Sequence, residues 1–232
     1  FAALASGSFA MAENYLFTKE AFKDYWNALS DEGYLSMEHQ FYMPRLTTEV
    51  ILALQELGVK NPEEHFAVYN LPQMRRKLLL LSKRPITPEI LQNAYWPLTD
   101  EKHEQIHLLY PAKEADKDNI YQRIVTEGWQ SVAPELPIDI SPCDDNRPFA
   151  AQLGLWKNFA FGGLEKVSPY EFSGFPLAKL LVLVILVVSL VLIVPLNLLP
   201  YLGGGVRLRA VPWLYFFMLG MGFMMVEVVL IR

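Results

Sequence analysis

His103-Glu104-Gln105-Ile106-His107 matches the pattern H-E-x-x-H. On a helix, two histidines four residues apart share a face and can bind zinc, while the glutamate activates a bound water. The flanking residues argue against that chemistry. Pro97 precedes the motif and Leu108-Leu109-Tyr110-Pro111 follows it, leaving little more than two turns of helix. A third ligand would have to be a residue such as Glu127, which stands in no ligand motif. A zinc metalloprotease is thus an outlying alternative, and no metal site is expected. Ile138–Phe149 (IDISPCDDNRPF) is the second polar constellation. Asp144, Asp145 and Arg147 could bind a cation or a substrate, but a turn tied down by an Arg–carboxylate contact accounts for the same residues. The single cysteine, Cys143, excludes an internal disulfide and a thiolate metal cluster.

The elements that position these residues alternate between helical and extended patterns. Thr18 predicts an N-cap for a helix carrying Phe22, Tyr25, Trp26 and Leu29 at helical spacing, ended by Asp31-Glu32-Gly33. Tyr34–His39 reads as a strand, Thr47–Leu57 as a helix closed by Gly58, and Glu64–Tyr69 and Arg76–Ser82 as two more strands. Thr87-Pro88-Glu89 is a helix start, and Asp118–Glu127 a further helix ended by Gly128. This alternation predicts an α/β class, with too few strands for a complete doubly wound sheet. From Trp129 the prolines and glycines multiply, which predicts an irregular linker over 129–176.

After Pro176 the composition changes. The run 180–199 carries no charge, and 210–231 carries only Glu227 among ionisable residues. Each is about the length that crosses a ~30 Å hydrocarbon core, so two transmembrane helices joined as a hairpin through Gly203-Gly204-Gly205 are expected. Glu227 would be either an interfacial acid or a polar contact within a helix bundle, and Gly220 and Gly222 would permit close helix packing. The first 176 residues hold 16 Lys+Arg against 24 Asp+Glu, a net charge of −8, whereas the last 56 are net +3. An acidic globular part is a poor partner for nucleic acid, which needs a basic surface. Basic residues on either side of the first span balance and set no orientation.

Three motifs, in order, resemble the spermidine synthase family and specifically its membrane-fused members. They are Glu13-Asn14-Tyr15-Leu16-Phe17-Thr18 with Glu20-Ala21-Phe22, then Ser141–Phe149 (SPCDDNRPF), then Leu219–Glu227 (LGMGFMMVE). The resemblance implies the C-terminal half of a methyltransferase-type (Rossmann-like) sheet over 1–128, the linker, and a transmembrane hairpin over 177–232. It implies a multi-pass cell-membrane protein with its globular part in the cytosol. The chain then reads as part of a longer protein, with the glycine-rich cofactor loop and the catalytic Asp upstream of Phe1.

The implied chemistry is transfer of an aminopropyl or methyl group from S-adenosylmethionine or decarboxylated S-adenosylmethionine to an amine such as a polyamine. The amine must be neutral when it attacks, which calls for a nearby carboxylate, and acidic residues also attract a cationic amine. Glu13, Asn14 and Tyr15 in the first loop, and Glu38 and His39 at a strand end, are the expected substrate-binding residues. Tyr15 would lie along the aliphatic chain. The alternative is a non-catalytic ligand-sensing or scaffold domain beside a transporter-like bundle. A lipid bilayer is an expected partner, and a homodimer is compatible with the sequence.

Overall fold

The computed structural model describes residues 13–40, 42–93, 106–113, 116, 118–160, 174–203 and 210–231. They fall into two compact units, divided after Lys179. In the first unit, helix α1 (Lys19–Ala28) starts where Thr18 Oγ1 accepts the Ala21 amide at 3.2 Å, and it buries Phe22 and Trp26. Strand β1 (Tyr34–His39) follows, then helix α2 (Met43–Glu56). Helix α2 begins four residues ahead of Thr47. Pro44 occupies its first turn, where a missing N–H costs nothing, and Thr47 and Thr48 donate back to Met43 O and Pro44 O instead of capping. Its end lies where the sequence places it. Gly58, at φ 69°, donates to Gln55 O while Val59 donates to Leu54 O, a pair of bonds that needs the left-handed conformation glycine adopts freely.

Strands β2 (Phe66–Leu71), β3 (Arg76–Ser82) and β4 (His107–Tyr110) complete a four-stranded sheet in the order β1-β3-β2-β4. Helix α3 (Pro88–Asn93) follows β3, and α4 (Ile120–Glu127) and α5 (Trp129–Val132), which pack together, follow β4. One sheet face, through Leu35, Met37, Phe66, Val68, Leu79 and Leu81, shares its core with Phe22, Trp26 and the apolar side of α2. The opposite face, through Ala67, Tyr69, Leu71, Leu78 and Leu80, packs with Ile86, Leu91, Ile106 and Leu108. At the end of the sheet where β1 stops, four polar residues stand in cross-strand register: His39 opposite Lys77, Lys77 opposite Asn70, and Asn70 opposite His107.

Two expectations are corrected. The sheet is antiparallel at every pairing, so it is not the expected half of a methyltransferase-type, Rossmann-like sheet. The physical reason is the short Pro72–Arg75 connection, which can join β2 to β3 only as an antiparallel neighbour, after which β3 fills the place beside β1. The expected transmembrane hairpin is also overturned: among the described residues no helix is long and apolar enough to cross a membrane. The second unit holds helix α7 (Ala210–Ile231) and most of helix α6 (Leu177–Gly203). The joining residues 204–209 and the Glu227 side chain lie outside the described residues.

The stretch after Trp129 is more ordered than a linker. Val132, Ile140, Cys143, Ala150 and Leu153 are buried, and 139–153 lies along α2.

Candidate functional site

The first resembling motif and the second are clasped together. Asn14 N donates to Pro148 O at 2.7 Å, and Lys19 N donates to Cys143 O at 2.9 Å. Thr18 Oγ1 donates to Asp145 Oδ1 at 2.8 Å, and the Asp145 amide donates to Glu20 Oε2 at 3.2 Å. Asp144 and Asp145 thus close a turn, in which Asn146 N donates to Asp144 Oδ1. Arg147 does not take the carboxylate contact expected of it. It donates to Ser141 Oγ and Pro142 O, so backbone and hydroxyl oxygens fix the turn.

This clasp holds the loop that carries Glu13, Asn14 and Tyr15. Asn14 Oδ1 caps the short helical turn Tyr15–Phe17 by accepting from Leu16 N. Tyr15 Oη donates to Glu13 Oε2 at 2.8 Å, and both side chains are exposed. Phe17 carries the loop to the end of β1, where its ring meets His39 edge-on at 5.6 Å and Tyr42 at 5.9 Å. His39 in turn stacks on Tyr42, with centroids 3.5 Å apart. Phe17 thus links the loop that carries Glu13, Asn14 and Tyr15 to His39 at the end of β1.

Glu38 is not part of that group. Side chains alternate along a strand, so Glu38 projects from the face opposite His39, where Arg76 Nη1 pairs with it at 3.3 Å. His39 is held as neutral imidazole, its pKa lowered to about 4 by burial and by the Arg76 charge. The Tyr42 amide donates to His39 Nδ1 at 3.4 Å, which leaves the ring proton on Nε2. At neutral pH His39 can donate one hydrogen bond from Nε2.

A buried polar network behind the clasp escaped the sequence reading. Arg45, 2 % exposed, donates from Nη1 to Phe149 O and Ala150 O and from Nη2 to Gln152 O, and it pairs with Asp139 at 3.1 Å. One turn on, Glu49 Oε1 accepts the Cys143 amide, while Glu49 Oε2 and Arg45 Nε have no hydrogen-bond partner among the described residues. Burial pushes the Glu49 carboxyl up to about 8 and the Cys143 thiol up to about 12. The four-residue spacing of Arg45 and Glu49 was the available signal, but it reads equally as an exposed helical ion pair.

The zinc pattern fares poorly. His107 opens strand β4, so the motif does not finish on a helix, while His103 and Glu104 lie outside the described residues. No group of three His, Cys, Asp or Glu that could hold a metal occurs among the described residues. No family model, no curated protein and no solved structure matches the chain.

Proposed function

We propose that the chain binds an organic amine, of the polyamine class, along the edge formed by Glu13, Asn14, Tyr15 and His39, as the acceptor site of a spermidine synthase-like transfer of an aminopropyl or methyl group. The observation that carries the reading is the Phe17–His39 contact, which joins a loop and a strand end that lie more than twenty residues apart. An exposed Glu13 carboxylate beside a tyrosine ring supplies what a protonated aliphatic amine needs: an acceptor for the ammonium and an apolar surface for the methylene chain. His39, held neutral, adds no positive charge that would repel a cationic amine.

The described glycines of the first unit, at 33, 58, 128, 154 and 174, stand singly, and none forms a glycine-rich turn of the kind that would cradle an S-adenosylmethionine-type cofactor. The reading therefore concerns the amine alone, and group transfer rests on the resemblance. A non-catalytic ligand-sensing role shares the same amine site and is favoured by one observation: the Glu38 carboxylate is already paired with Arg76.

The bilayer belongs to the proposal as a partner of the second unit. Leu186, Val191, Phe216 and Phe223 are each more than half exposed, an apolar surface that water alone does not stabilise. Flotation of the chain with neutral phosphatidylcholine vesicles tests that attachment, and recovery of the protein only in the unfloated fraction would remove it.

The amine site is tested by isothermal titration of spermidine into the full chain in neutral detergent. Saturable binding that weakens at least fivefold in Glu13→Gln supports the site. Equal binding by wild type and variant, or none by either, would overturn it.

A further inference from the structure

We infer that Lys77 and Asn70, with His107 beside them, form a binding ledge for an oxyanion, the phosphate or carboxylate group of a small molecule. Residues directly opposed on antiparallel strands project from the same face, and neighbouring strands lie about 4.8 Å apart. The register therefore sets His39, Lys77, Asn70 and His107 in one row on the face that also carries Met37, Leu79 and Val68. At that spacing one oxyanion can reach both the Lys77 ammonium and the Asn70 amide. His107 stands one strand beyond Asn70.

The electrostatics point the same way. Lys77 is partly buried, and among the described residues it has neither an ion pair nor a hydrogen bond; the same holds for the Asn70 and His107 side chains. Burying an ammonium without a counter-charge is costly, and desolvation lowers the pKa of Lys77. The one carboxylate at this sheet end on a neighbouring strand, Glu38, lies on the other face and is taken by Arg76. Arg75, Arg76 and Lys77 follow one another where the β2–β3 turn meets β3, a cationic spot on a part of the chain whose net charge is −8. The turn is set by the Arg75 amide donating to Pro72 O at 3.0 Å. An anion would supply the charge that Lys77 lacks and the acceptor that Asn70 lacks. The ledge is of opposite sign to the amine site and its ligating groups, Lys77, Asn70 and His107, are not part of that site, so it goes beyond the function proposed above.

The test titrates inorganic phosphate, and separately succinate, into the full chain in neutral detergent, with sodium chloride adjusted to hold ionic strength constant. The Lys77 side-chain NMR signal reports occupancy directly. Saturable binding of either anion, with a shift of the Lys77 signal and at least a tenfold loss of affinity in Lys77→Met, is expected; Arg84→Met, an exposed cation paired with Glu32, should bind as wild type does. The stronger of the two anions identifies the group. Absence of saturation at constant ionic strength, or equal loss in Lys77→Met and Arg84→Met, would overturn the ledge. Spermidine binding should persist in Lys77→Met, so failure of the amine site and failure of the ledge are read separately.

Discussion

Glu49 Oε1 accepts the backbone amide of Cys143 at 2.9 Å, deep in the first unit and 94 residues away in sequence. This bond ties α2 to the turn that in turn holds Thr18 and Lys19. The groups that face the carboxyl are Arg45 on its own helix, Cys143, and Glu20 of α1.

Because the folded-state pKa of Glu49 is raised to about 8, the native chain holds this proton where the unfolded chain releases it. The resulting stability is fully present below about 4.5 and is lost as pH rises toward 8. Stability should fall across that window by on the order of 3 kcal/mol, and Glu49→Gln should remove the fall. Urea unfolding of the full chain in neutral detergent at pH 5, 6.5 and 8 measures it. A wild-type stability that rises over this range would contradict the assignment.

His39 acts in the opposite sense. Its folded pKa, about 4, lies below the unfolded value of about 6.5, so its contribution is present above 6.5 and is lost as pH falls toward 4. His39→Phe, which keeps a ring against Phe17 and Tyr42, should flatten the acid limb. The imidazole Hε1 resonance should titrate near 4, and a midpoint above 6 would show the ring to be solvated.

Arg45 is held by three carbonyls and by Asp139, and its removal would strand those acceptors and the Asp139 carboxylate. Arg45→Met should cost about 3–5 kcal/mol. Arg45→Lys should rescue little, since one ammonium cannot reproduce the guanidinium fork. Recovery of wild-type stability by the lysine variant would mean that charge alone matters.

Much of the first unit was legible because its signals are local. Thr18, Gly58, Thr87 and Gly128 mark helix ends through their own side-chain or backbone conformation. β1 and β3 stand at the residues that their extended pattern named. What failed depended on distant partners. β4 was hidden because His107–Tyr110 alternates no more clearly than a helix turn, and only pairing with β2 makes it a strand. The start of α2 was missed because Thr47 imitates a cap. The buried pairing of Arg45 with the 139–153 segment leaves no mark in the sequence of either partner. Of the proposed site, the loop of Glu13, Asn14 and Tyr15 and the strand end at His39 were named in advance, whereas the separation of Glu38 from His39 onto the other face follows from strand alternation and its pairing with Arg76.

The Thr18 hydroxyl accepts from the Ala21 amide and is shared as a donor between Asp145 Oδ1 and Tyr15 O. Thr18→Ala should therefore cost about 1–2 kcal/mol, more than an isolated cap at the low end of the range, and Thr18→Ser should restore most of it. Thermal unfolding of the three proteins checks this. Equal melting temperatures for the alanine and wild-type chains would mean that the clasp contributes nothing.

The central claim is that an amine sits between the first loop and the end of β1. The most direct measurement follows the His39 Hε1 resonance at pH 7 while spermidine is added at constant ionic strength, in wild type and in Glu13→Gln. The account predicts a saturable shift in wild type that is lost or displaced to at least fivefold higher spermidine in the variant. A His39 signal that does not move, or that moves identically in both proteins, would contradict it.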